Sequence, residues 1–109
     1  MTFKVSIAQS ARNQAAAISR WYHQQSSSLE VARQWIQVFR ETASSLTNNP
    51  ERHPLARESD DFSYELREVH FGSGRKKTHR LLFRIDGNNV LVMSVRHFAQ
   101  DDISADDLA

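Results

Sequence analysis

Between Tyr64 and Phe98, three short apolar runs alternate with turn residues, and this alternation constrains the fold more than anything else in the chain. The first run is Tyr64-Glu65-Leu66-Arg67-Glu68-Val69, followed by the loop Phe71-Gly72-Ser73-Gly74-Arg75-Lys76-Lys77. The second, His79-Arg80-Leu81-Leu82-Phe83-Arg84-Ile85, reaches the turn Asp86-Gly87-Asn88-Asn89. The third returns as Val90-Leu91-Val92-Met93-Ser94-Val95-Arg96-His97-Phe98. Runs rich in Val, Leu and Phe, punctuated by Gly and Asn, predict an antiparallel meander. The Asp86–Asn89 tetrapeptide offers residues that tolerate positive φ, as tight hairpins require. In the second run Leu81, Phe83 and Ile85 share a face. In the third, Leu91, Met93, Val95 and His97 oppose Val90, Val92, Ser94, Arg96 and Phe98. Both faces of that strand are apolar, which predicts a central strand covered on each side.

The N-terminal half supplies one cover. Phe3, Val5 and Ile7 alternate with polar residues, giving a strand over residues 2–7. Ser10 is positioned to cap a helix whose apolar stripe is Ala11, Ala15, Ile18 and Tyr22. Ser27 followed by Glu30 fits a capping box for a second helix over residues 29–47. Its stripe is Val31, Trp35, Val38, Phe39, Thr42 and Leu46, and Ala17, Ala32 and Ala43 allow close helix approach. Trp21, Trp35 and Phe39 are core candidates. Asn48-Asn49-Pro50 ends the helix, because proline cannot continue it. Residues 51–61 read as an irregular surface connection. The expected fold is α+β: a small antiparallel sheet, made of the N-terminal strand and the three-strand meander, packed by a two-helix N-terminal hairpin. The second face of the last strand then needs the acidic tail 100–109 or a partner segment near Leu82, Val92 and Arg96, with acids meeting Arg80, Arg84 or Arg96.

A chain of 109 residues is expected to form one domain with a single core. No apolar run is long enough to span a bilayer and the first residues lack a signal-peptide layout, so the expected location is the cytoplasm. Without cysteine there is no disulfide or thiolate metal site, and the scattered histidines give no ligand spacing, so neither metal nor other cofactor is expected. The chain's net charge is only +1, yet seven Lys or Arg and two acids lie between Arg67 and His97. A polyanion is the natural partner for such a stretch.

The order strand, helix, helix, three strands now meets recognisable residues. Leu66-Arg67-Glu68-Val69, the run from Arg80 to Ile85, the run from Val90 to His97 followed by Asp101, and Asn49-Pro50 together resemble the RelE/ParE superfamily of bacterial toxins from type II toxin–antitoxin pairs. The resemblance covers nearly the whole chain and implies a cognate antitoxin as partner. RelE-like members are ribosome-dependent mRNA endonucleases, and ParE-like members poison DNA gyrase. On the RelE-like pattern Arg67 and Arg80 would hold the scissile phosphate and His97 would stand at the basic position ending the last strand. Phe98, Glu65 and Gln100 depart from that pattern. The leading expectation is growth inhibition by ribosome-dependent, metal-independent mRNA cleavage. The alternatives are gyrase inhibition without nuclease activity, and a non-catalytic module that only binds an acidic partner.

The residue types suit the chemistry. A guanidinium fork matches two phosphate oxygens, and imidazole titrates near neutrality and transfers protons. Arg75, Lys76, Lys77, Arg84 and Arg96 are the expected nucleic-acid contacts. The competing reading pairs Arg67 and Arg80 with Glu65, Glu68 or the acidic tail, and makes His97 a hydrogen-bonded core residue.

Overall fold

The computed structural model describes residues 2–100. Strand β1 (Lys4–Ile7) leads into α1 (Gln9–Ser26) and α2 (Leu29–Ser44), followed by three single 3-10 turns. The meander is β2 (Arg67–Phe71), β3 (His79–Asp86) and β4 (Asn89–His97). These elements form the expected α+β fold. The sheet order is β1-β4-β3-β2, which makes β4 a central strand. The meander is antiparallel, but β1 runs parallel to β4, from Lys4↔Asn89 to Ile7↔Val92. The sheet is therefore mixed, not purely antiparallel. A parallel pair needs a long crossover, and the helices and the first two meander strands supply it.

The helix boundaries follow local chemistry, with one serine displaced at each start. Ala8 precedes α1 in extended conformation and gives no side-chain cap. Ser10 lies inside the helix and donates instead to the Met93 carbonyl at 3.1 Å, tying α1 to β4. At α2 the cap is Ser28, whose hydroxyl accepts from the Val31 N–H at 3.4 Å, while Ser27 takes the left-handed turn at φ 55. The β3–β4 hairpin turns on Gly87 at φ 59, the first of two central residues, as a type II′ turn requires.

Trp35, Phe39 and Leu46 from α2 and Ala11 and Ala15 from α1 pack on Phe71, Leu81, Phe83, Val90, Val92 and Val95. The Trp35 and Phe39 rings stack with centroids 5.8 Å apart. Truncating a fully buried Trp35 would cost roughly 3–5 kcal/mol. Trp21 is not part of this core: it is 54% exposed, because it stands one residue before Tyr22 and off the buried stripe.

Strict alternation along β4 fails at one residue. Leu82 pairs with Ser94 and Phe83 with Val92, so Met93 is the extra residue of a β-bulge. The bulge sends Val90, Val92 and Val95 all toward the helices, while Met93 packs in a second cluster on the other face. That cluster contains Ala56, Leu66 and Leu82, flanked by Phe62 and Tyr64. The second cover is thus the connection preceding β2, which buries Leu82 without a partner segment, and Val92 belongs to the helical side. The connection also protects the sheet edge. Ala56 N–H donates to the Leu66 carbonyl at 2.7 Å and Glu68 N–H to the Pro54 carbonyl at 3.1 Å, so the chain doubles back along β2. Residues 51–61 are therefore a structural strap as well as a surface connection. The tail beyond Gln100 lies outside the described residues.

Candidate functional site

The strand register places the three expected catalytic residues. Arg67 pairs across from Phe83, Arg80 from both His70 and Arg96, and His97 from His79. Successive residues of a strand point to opposite faces. His79 and Phe83 pack with the helix-side residues, so Arg80, between His79 and Leu81, belongs to the strap side. His97, across from His79, belongs to the helix side. Arg67 and His97 share that side, but their partners Phe83 and His79 lie four residues apart on β3, about 13 Å at strand spacing. The structure does not bring the three together.

Each is also held by the protein itself. The Arg80 guanidinium donates to both oxygens of Glu58, at 2.9 and 2.6 Å, and through Nε to Glu68 at 2.7 Å. Arg80 and Glu58 are buried. The hydrogen bonds to Glu58, and then those to Glu68, outweigh the desolvation of Arg80 and raise its pKa, so it is permanently charged and already neutralised. Glu68 passes the network on to His70 Nε2 at 3.1 Å. Arg67 donates to the His53 carbonyl at 2.6 Å and the Glu51 carbonyl at 3.3 Å, and approaches Glu65 at 3.8 Å. Pairing within the chain is what the competing reading of these arginines expected, with Glu58 as the unforeseen main partner.

His97 is exposed at the end of β4, so it is not a core histidine. Its Nδ1 accepts from the Ala99 N–H at 3.0 Å, which leaves the proton of the neutral ring on Nε2. The core histidine is its cross-strand neighbour His79, whose ring meets that of His97 edge-on at 5.1 Å. His79 Nδ1 accepts from Trp35 Nε1 at 3.4 Å and lies 2.7 Å from the Thr78 hydroxyl. Burial, and then the charge of His97, push the His79 pKa down to about 4, so it is neutral near pH 7.

The expected nucleic-acid residues divide into two groups. Arg84 lies with its guanidinium 4.2 Å above the Tyr64 ring, a cation–π contact between β3 and the strap. Arg96 is half-buried opposite Arg80. Arg75, Lys76 and Lys77 are exposed, on the loop between β2 and β3. That loop closes tightly where Gly72 meets the Lys76 carbonyl, an approach no Cβ would allow.

Residues 5–102 match the family model described as ParE toxin of type II toxin-antitoxin system, parDE. The chain belongs to the ParE toxin family. No curated protein matches it. As a ParE-family toxin it is one half of a toxin–antitoxin pair, with a cognate antitoxin as partner. Among the described residues of this toxin, no helix is long and apolar enough to cross a membrane, and no cluster of His, Asp or Glu is arranged to hold a metal.

In this ParE-family chain two buried polar residues, Glu58 in the Arg80 network and His79 beside His97, lie outside the expected site residues. Glu58 sits in a run of charges where nothing marks it for burial, since a buried Glu is rare unless paired. Its signal is only that Ala56, Ser59 and Phe62 interrupt that run. His79 carries a clearer signal in the sequence, because it shares parity with Leu81, Phe83 and Ile85.

Proposed function

We propose that this toxin arrests growth in the cytoplasm by binding DNA gyrase, and that it does not cut RNA. One observation carries the reading: Arg80 is enclosed by Glu58 and Glu68 on the sheet face opposite His97. A metal-free RNA endonuclease must stabilise a pentacoordinate phosphate beside its proton-transfer groups. A guanidinium whose fork is filled by a carboxylate has no such capacity to spare. His97 has its Nδ1 occupied by the Ala99 N–H, so that nitrogen is not free to take a proton from a substrate hydroxyl. Phe98 and Glu65, which depart from the RelE-like pattern, point the same way. Family membership adds to this, because ParE-like members are gyrase poisons.

The test uses the purified toxin in two assays. With gyrase and supercoiled DNA, the expected result is accumulation of cleaved DNA covalently held by the enzyme. With ribosomes programmed with mRNA, the expected result is intact message. Cleavage of the message on the ribosome, with gyrase unaffected, overturns the proposal.

A further inference from the structure

Helix α1 runs beside β4, and its contacts change character along the way. Ser10 donates to the Met93 carbonyl at 3.1 Å. One turn on, the Gln14 side-chain oxygen accepts from the Val95 N–H and the Ser94 hydroxyl, each at 2.9 Å. The same face continues with Ala17, Ile18 and Trp21, which have no such polar tie to offer. With only a methyl group at Ala17, a hollow of about 500 Å³ opens between α1 and the end of β4.

One side of the hollow is apolar: Ala17, Ile18 and the Trp21 indole. Trp21 is largely exposed, yet its ring is braced, meeting Tyr22 edge-on with centroids 5.1 Å apart. The other side is His79, His97 and Gln100. Trp35 and the Ala99 N–H donate to Nδ1 of His79 and His97 respectively, so each neutral ring carries its proton on Nε2. Gln100 accepts from the His97 N–H at 2.7 Å through its side-chain oxygen, which leaves its amide group to donate. A flat aromatic body with acceptors on its edge, such as a nucleobase, matches both sides.

Charge selects the rest of the ligand. The exposed Arg75-Lys76-Lys77 loop ends two residues before His79, at most about 7 Å of chain away. Thr78, between them, is tied to the end of β4, because its carbonyl accepts from the Phe98 N–H at 3.0 Å. The basic loop and the hollow therefore share one end of the sheet, and no Asp or Glu lines the hollow.

We infer that this end of the sheet binds single-stranded DNA, with one unstacked base seated on Trp21 and the backbone running to the Arg75-Lys76-Lys77 loop. An aromatic platform beside a basic track is the usual means of sequence-tolerant single-strand binding. A base inside a duplex is stacked and paired, and reaches such a hollow only by being flipped out. The inference rests on the gyrase proposal only for the choice of DNA over RNA.

The experiment is fluorescence anisotropy of a short labelled oligodeoxyadenosine titrated with the purified toxin at low salt. Trp21→Ala should weaken binding roughly five- to a hundredfold, the worth of one stacked base, and Trp21→Phe, which keeps a ring, should recover most of the loss. Ala17→Leu, which fills the hollow and leaves ring and charge in place, should weaken binding comparably. Ala17 and Trp21 are exposed, so these variants should melt within a few degrees of the wild type. Asp101→Asn/Asp102→Asn, next to Gln100 in sequence, should tighten binding by removing like charge. The inference is overturned if folded Trp21→Ala or Ala17→Leu binds the strand like wild type. It is also overturned if a duplex binds as tightly as the single strand, or if deoxyadenosine monophosphate alone matches the oligonucleotide. Tighter binding of the corresponding RNA strand overturns the choice of DNA. A toxin that binds the DNA strand yet leaves gyrase unaffected sinks the gyrase proposal and leaves this site standing.

Discussion

Arg80 on β3 and Glu58 on the strap, twenty-two residues apart, form a two-pronged ion pair with both partners buried. It fastens the strap to the sheet face that the helices leave bare. Removing one partner strands a buried charge, so Arg80→Ala or Glu58→Ala should each cost about 3–5 kcal/mol. Replacing both with apolar residues, Arg80→Met/Glu58→Leu, should recover part of that loss, because neither fully buried charge remains and Glu68, part-exposed, keeps His70 as a partner. Urea unfolding of the three variants checks this. A double variant as unstable as the sum of the singles would show that the pair is not the fastening.

Acid should loosen the core through His79. Its folded pKa of about 4 lies below the ordinary 6.5. Between these values the unfolded chain binds a proton that the native chain refuses. Stability is therefore lost as pH falls from 6.5 toward 4, by roughly 3 kcal/mol at most from this group. His53, also lowered chiefly by burial, acts in the same direction. His79→Phe should flatten the curve of urea midpoint against pH over that window relative to wild type. An unchanged slope would assign the acid sensitivity elsewhere.

His97→Gln should leave growth arrest intact. Under the gyrase proposal His97 transfers no proton, and its exposed position at the strand end makes little demand on stability. The effect on melting should be within about 0.5 kcal/mol, as for other surface changes. A variant that melts normally but no longer arrests cells would restore a chemical role for this ring.

The Arg75-Lys76-Lys77 loop should set the salt dependence of binding to a nucleic-acid-containing target. Lys76→Ala/Lys77→Ala should reduce the slope of log affinity against log salt for the gyrase–DNA complex by up to about two. The check is a titration series from low to physiological salt. A slope identical to wild type would make the loop a solvated turn.

Most of the architecture is legible because it follows from periodicity. The stripe of α2 and the alternation of Leu81, Phe83 and Ile85 are local patterns with a fixed geometric meaning. What escapes is non-local. The parallel entry of β1 depends on which edge the chain reaches after crossing the sheet, and Val5 carries no mark of that. The bulge at Met93 shifts Val95 to the opposite face although the sequence alternates without a break. The state of Arg80 hangs on Glu58, whose burial only the folded strap creates. Residue type alone leaves an arginine that grips a phosphate indistinguishable from one that grips a carboxylate.

The pairing of Val5 with Val90 also sets a clock on biogenesis. Among the described strands β1 is synthesised before the others and its neighbour β4 after them, so the sheet has no centre while the intervening chain is being made. At about 5–20 residues per second that interval is on the order of 4–16 s. A nascent chain is thus unfinished at its middle strand and carries no assembled toxin. A partner already folded when β4 emerges has first claim on the newborn surface.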